Sequence, residues 1–286
     1  MSRRHLVMLL ALAAIWGSSF MFIEIALRDL APSTLILLRM ASGAVALAVY
    51  IAATGRRLSL LRPLLWPLAL LGLANTAVPF FLIAWGQQYI DSGLASIFNA
   101  SAPLFTALFA IAYDHSQRAT GLRLVGILVG FTGVVLLVGF ELSGGDRAVV
   151  GGLAVVAASA CYGIGGLYAG RRFAGLPPSL VAFGALVWST AFVLPFGVAQ
   201  ASSIGWEAAL SVLYLGVAAT GVAYLLYFGL IAGAGASKAV LVTYLVPSLA
   251  LVYGAVFLDE EVTAVALGGL VLVLAGVALG TGTVKR

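Results

Sequence analysis

The sequence predicts an all-α membrane protein of ten transmembrane helices, arranged as two five-helix repeats of opposite orientation. Three observations carry that prediction. The 286 residues are 63% hydrophobic and only 9% charged, where a soluble domain of this length carries about 25% charged residues. The apolar residues fall in runs of roughly 20, the length at which a helix crosses a hydrocarbon core. Short motifs also recur along the chain at a nearly constant offset.

The composition fixes the solvent first. Lipid offers the backbone no partners, so each span must satisfy its own hydrogen bonds as a helix or within a closed barrel. The runs are continuous rather than alternating residue by residue, which selects helices. The 34 glycines fit this reading, because small residues let membrane helices approach closely. A single cysteine, Cys161, excludes an internal disulfide framework and reads as a packing residue.

The first run, 6–27, follows Ser2-Arg3-Arg4. With Ala11-Leu12-Ala13 as a cleavage site it resembles a secretory or twin-arginine signal, but its apolar stretch continues to Leu27, which is span length. The second, 32–53, opens on Pro32. The third, 64–86, follows Arg56, Arg57 and Arg62 and contains Asn75 and Pro79. The fourth, 92–112, carries Asn99 and Pro103, and the fifth, 121–140, carries Gly126, Gly130 and Gly133. Five more follow at 150–169, 179–199 with Pro195, 207–231, 238–257 with Pro247, and 262–281 with Gly269, Gly276 and Gly280. The connections are too short for a soluble domain.

Charge then orients the spans. Arg3, Arg4, Arg56, Arg57, Arg62, Arg118, Arg123, Arg171, Arg172, Lys238, Lys285 and Arg286 fall on one side, and only Arg28 and Arg147 on the other. Basic loops stay in the cytoplasm, so both termini are expected there, in a cell inner membrane. The acids Asp29, Asp91, Glu141, Asp146, Glu207, Asp259, Glu260 and Glu261 fall outside, with Asp114 inside. A missed span would scramble this pattern. The basic residues form no patch, so the net charge of +5 does not point to nucleic acid.

The repeat shows in Ala14-Ile15-Trp16-Gly17-Ser18 against Ala160-Cys161-Tyr162-Gly163-Ile164. It shows again in Leu30-Ala31-Pro32-Ser33 against Leu176-Pro177-Pro178-Ser179, and in Ser101-Ala102-Pro103-Leu104 against Leu245-Val246-Pro247-Ser248. Five spans per half, an odd number, force the second half (146–286) to enter the membrane inverted relative to the first (1–145). Inverted repeats with a site between them are a transporter architecture.

These residues carry a family resemblance. Trp16-Gly17-Ser18-Ser19-Phe20, Arg39, Pro103-Leu104-Phe105 and the Gly-rich fifth span, answered by Pro247, Asp259-Glu260-Glu261 and Gly268 to Gly276, resemble the EamA-type branch of the drug/metabolite transporter superfamily. The resemblance covers essentially the whole chain and is nearest to bacterial aromatic amino-acid exporters. Asp114-His115 departs from it, standing where the family often has Gly-Glu. It implies ten helices, the fifth and tenth peripheral, around a central cavity from which amino acids or related metabolites are exported by alternating access. Multidrug or other-metabolite transport on the same fold, and a channel, are the alternatives.

Candidate site residues follow from depth and chemistry. Glu24 and Arg39 are the ionisable groups within spans, which default to function; they read as an inter-helix ion pair, with Arg28 as a competing partner of Glu24, or as a proton-coupling group and a carboxylate receptor. Asn75 and Asn99 must turn from lipid toward the interior, with Ser101, Thr76 and Thr243 weaker because a hydroxyl can bond its own helix. Trp16, Phe20, Phe98, Tyr162, Trp188, Tyr224 and Tyr244 lie deep and either line a cavity or pack a core. Trp66, Trp206, Tyr89 and Tyr113 sit at span ends as interfacial belt residues. Pro79, Pro103 and Pro247 bend their helices, and the glycine faces of the fifth and tenth spans read as packing or a dimer contact. The chain is expected to be a monomer or homodimer without a cofactor.

Other classes lack their chemistry. His5 and His115 lie at span ends, so a serine at depth has no base. No aspartate pair lies within spans, and no metal-ligand cluster or Gly-Lys-Ser phosphate loop is present, which removes intramembrane proteolysis, zinc hydrolysis and ATP-driven pumping.

Overall fold

The computed structural model describes residues 1–113, 121–141, 145–200 and 204–280. Among them there is no strand. The helices run α1 (Arg3–Leu27), α2 (Pro32–Ala53), α3 (Leu58–Gly86), α4 (Ser92–Ala112), α5 (Leu122–Glu141), α6 (Asp146–Arg172), α7 (Pro178–Ala199), α8 (Trp206–Ala234), α9 (Val242–Phe257) and α10 (Ala264–Gly280). Seven of these are long and apolar enough to cross a membrane, and α5, α9 and α10 contribute shorter apolar stretches. Asp114, His115, Arg118, Lys285 and Arg286, expected at the basic side, lie outside the described residues.

Local chemistry sets the helix ends. Ser2 Oγ accepts the His5 N–H at 3.3 Å and caps α1, and Pro32 and Pro178 open α2 and α7, where a missing N–H costs nothing. α6 begins at Asp146, four residues before the apolar run expected at 150, and continues to Arg172. Its acidic start and basic end complement the helix dipole. α9 begins later than expected, because a turn at Val240–Leu241 separates it from a short helical turn at Ala236–Ala239.

Packing follows small residues and buried hydroxyls. α1 lies against α8 and α9, α6 against α3 and α4, and α2 and α7 against each other. Ser33 Oγ donates to Gln200 Oε1 at 2.5 Å and Thr34 Oγ1 to the Gly197 carbonyl at 2.8 Å. At the other end of the α2–α7 pair, Arg56 Nη1 donates to Ser179 Oγ at 2.6 Å. The glycine faces of α5 and α10 meet each other. A Cβ on Gly276 would collide with Gly130, one on Gly126 with Gly280, and one on Gly133 would meet Leu272 Cβ at 2.8 Å. Trp66 and Trp206 are 77% and 72% exposed at helix ends.

Three helices depart from regular geometry at mid-depth. α3 widens into a π-helical segment at Leu73–Ala77 and α8 at Tyr214–Val222. Pro79 offers no N–H to the Asn75 carbonyl, and the ladder slips there. α4 breaks at Ala100–Ser101, just before Pro103, where Ser159 Oγ of α6 lies within 3.2 and 3.3 Å of the Phe98 and Asn99 carbonyls. Pro247, expected to bend α9 in step with Pro103 in α4, does not interrupt its helix. It lies inside the continuous helix Val242–Phe257, and the interruption falls earlier, at Val240–Leu241.

Candidate functional site

A cavity of about 900 Å³ lies between α1, α2, α3, α4, α6, α8 and α9, with α5 and α10 outside it. Its floor and mouth differ. At one end Ile23, Phe80, Ile83 and Ser96 are buried, and at the other Gly166 is exposed. The open end lies on the side of the α2–α3 connection, where the chain's N-terminus also sits.

The π-helical segments supply the polar centre. Widening at Leu73–Ala77 presents Asn75 to the cavity. In α8 the Thr220 hydroxyl donates to Leu215 O, five residues back, at 2.8 Å, and accepts Arg39 Nε at 3.2 Å. Arg39 is 7% exposed and lines the cavity. Its guanidinium stands 4.1 Å from the Phe80 ring centroid, a cation–π contact. Around it lie the phenols of Tyr162 and Tyr224. Among the described residues no carboxylate pairs with it, so the expected Glu24–Arg39 bridge is not formed. The two sit on different levels: Glu24 lies one residue beyond the cavity's buried end.

The remaining lining sorts by what each polar atom already does. Ser19, Ser96, Thr106 and Thr243 hydroxyls all donate to carbonyls of their own helices or turns, so their one hydrogen is already used. Asn99 Oδ1 is buried without a partner, an acceptor still open. Trp16 Nε1 donates to the Ala219 carbonyl at 3.1 Å, and the Trp16 ring lies 5.3 Å from that of Tyr227. Phe80 and Tyr162 meet edge-on at 6.3 Å.

Of the residues predicted from sequence, Trp16, Phe20, Arg39, Asn75, Asn99, Pro103, Tyr162, Tyr224 and Pro247 therefore line one cavity. Four others do not. Phe98 is fully buried against Gly152, and Ser101 donates to the Phe98 carbonyl at 2.6 Å. Trp188 stacks on Trp66 at 6.2 Å and on Phe192 at 5.7 Å. Tyr244 packs against the core with its hydroxyl buried and unpartnered. Pro79 adjoins the π-helical segment behind the wall. Sequence reasoning missed Thr220 as the ligand of Arg39, and Phe80 and Tyr227 as walls; Phe80 follows Pro79 and could have been suspected from it.

The model of the EamA-like transporter family matches twice, at residues 3–139 and again at 149–281. The chain is 27% identical to the probable amino-acid metabolite efflux pump of Escherichia coli K12, covering 96% of this chain and 94% of that one. It is 28% identical to a probable terminal-alkyne amino-acid exporter of Streptantibioticus cattleyicolor, over 92% and 89% of the two chains. The transporter YoaV of Bacillus subtilis is 23% identical over 97% of each. A crystal structure with 22% sequence identity superposes over the whole of both chains with a TM-score of 0.72, which shows the same fold.

Proposed function

The chain belongs to the EamA-like transporter family, and from that premise we propose that it exports amino acids, large apolar and aromatic ones included, across the bacterial inner membrane by alternating access. The observation that carries the substrate class is the pairing of Arg39 with Asn99 in one cavity. Arg39 is a buried cation with no protein counter-ion among the described residues, and Asn99 Oδ1 is an open acceptor. A zwitterion supplies the matching groups, a carboxylate for Arg39 and an ammonium for Asn99. Trp16, Phe20, Phe80, Tyr162 and Tyr224 give its side chain an apolar, aromatic wall. Aromatic contacts add roughly 0.5–1.5 kcal/mol beyond burial, so the preference for Phe or Trp over Leu is modest.

The same reading takes the ten helices as two inverted five-helix repeats with cytoplasmic termini. It is supported by the double family match and by the packing, in which exchanging α1 with α6, α2 with α7, α3 with α8, α4 with α9 and α5 with α10 maps the most extensive helix contacts onto one another. The π-helical segments of α3 and α8 exchange too. The cavity then opens to the cytoplasm and is closed outside, the state that loads an export substrate. Export is also the activity in the names of the Escherichia and Streptantibioticus relatives. The test is growth of cells expressing the chain under toxic amino-acid analogues. Protection against aromatic and branched analogues is expected. Protection confined to quaternary cations, sugars or nucleotides would overturn the substrate class.

A further inference from the structure

The closed end of the cavity holds a second polar cluster that substrate binding does not use. Glu24 follows Ile23, the last residue of α1 on the cavity wall, and its Oε2 is buried without a hydrogen-bond partner. Gln87, at the end of α3, is 2% exposed and within hydrogen-bonding reach of Glu24. Its Nε2 donates to the Phe20 carbonyl at 2.9 Å. That bond fixes the amide, since a flipped Gln87 would set two oxygens against each other, and it leaves Gln87 Oε1 buried and unpartnered. Ser92 is fully buried, and its Oγ also has no partner.

The charges facing this cluster are mostly negative. Arg28 directly follows α1, Asp91 comes from the α3–α4 connection and Glu260 from the α9–α10 connection. Asp91 stands in the connection, where partial burial and then the charges of Glu260 and Glu261 push its carboxyl above the usual range. Glu260 latches the two connections together, accepting the Ser92 N–H on Oε1 at 2.8 Å and the Gly93 N–H on Oε2 at 2.9 Å, at the start of α4. Asp259, at φ 56°, turns the chain so that the Glu260 N–H bonds Gly254 O at 3.1 Å. A small cavity of about 80 Å³, lined by Asp91, Glu260, Glu261 and Thr263 among others, lies alongside.

Glu24 Oε2 is a buried carboxylate oxygen without a hydrogen-bond partner, beside a Gln87 amide whose Nε2 already donates to the Phe20 carbonyl, and a carboxyl in such a place costs less when it carries a proton. We propose that Glu24 is a proton-binding site, loaded when the Glu260 latch closes the outer end of the bundle. Closure gathers Glu24, Asp91 and Glu260, and neighbouring carboxylates disfavour each other's ionised forms. A proton taken from external water relieves that repulsion, and opening the latch lets it return to water. By linkage, proton binding then favours the outward-closed state. The use of this proton in transport rests on the exporter reading; the binding itself does not.

The test has two arms on the full chain in lipid. In the first, infrared spectra in nanodiscs at pH 7 should show a protonated-carboxyl band that Glu24→Gln removes, Glu24→Asp shifts and Asp91→Asn leaves in place. No such band in the parent, or one that persists in Glu24→Gln, overturns the proposal. In the second, a cysteine at Ser96 in a Cys161→Ala background is labelled from outside sealed vesicles at pH 8 and pH 6, normalised to an exposed cysteine at Asp146. Labelling should be several-fold slower at pH 6 in the parent and independent of pH with Glu24→Gln. Undiminished pH dependence in Glu24→Gln overturns the coupling. Failure of Ser96→Cys to label from outside at any pH contradicts alternating access instead, and the infrared arm still decides Glu24.

Discussion

Arg39 is the residue on which recognition turns. A buried charge lacking a counter-ion costs several kcal/mol, and such a group persists in a membrane protein where function needs it. Removing it should therefore relieve the fold while removing the carboxylate's partner. Arg39→Gln is expected to keep or raise the melting temperature and to weaken substrate affinity roughly tenfold to a hundredfold, from a charge-assisted hydrogen bond worth about 1.5–3 kcal/mol. Adding Glu24→Gln should not restore transport, because the two do not pair; restoration would contradict this geometry. Asn99→Leu should reduce transport of amino acids more than of the corresponding carboxylic acids without an amine, measured by competition. The amides at 75 and 99 were legible in the sequence because lipid cannot satisfy them. Phe98 and Trp188 were not, since sequence fixes depth in a span but not direction around it. Phe98 adjoins Asn99, yet about 100° of rotation per residue turns it into the core.

At the scale of helices, the glycine pairs of α5 and α10 hold a close pair that stands apart from the cavity. Gly276 against Gly130 leaves no room for a side chain, and overpacking of this kind costs about 1–3 kcal/mol or more. Gly276→Val or Gly130→Val should lower the melting temperature and yield in detergent while leaving the order of substrate preference unchanged in the protein that folds. A changed preference at unchanged stability would mean that α5 and α10 reach the site. These stripes were visible in the sequence as small residues at helical spacing, but not their partner, which is another helix of the same chain. The π-helical segments were legible in the sequence only in part. Pro79 hints at one, whereas in α8 the widening depends on Thr220 bonding Leu215 and on Gly43 of α2 lying close to the Gly216 carbonyl, a tertiary arrangement. Thr220→Val should remove both the π-type bond and the Arg39 ligand, and so impair transport more than Thr76→Val, whose side chain is buried away from the cavity.

For the whole molecule, orientation and mechanism are linked. Cysteines at Arg57 and Arg172 in a Cys161→Ala background should resist an impermeant reagent applied outside, and one at Asp146 should react. The reverse pattern would turn the open cavity toward the outside and the proposed export state with it. The charge asymmetry that sets this expectation is a sequence property, but the cavity's closed end depends on Glu260 reaching across from the second half to the start of α4, a contact between distant segments. The most direct measurement of the central claim is counterflow in proteoliposomes made from the purified chain. Vesicles loaded with unlabelled phenylalanine should accumulate labelled phenylalanine transiently, with leucine competing modestly less well, and phenylethylamine and phenylpropionate, each lacking one end of the zwitterion, competing poorly. Arg39→Gln should abolish the signal. Absence of counterflow for every amino acid, or undiminished counterflow in Arg39→Gln, would contradict the account.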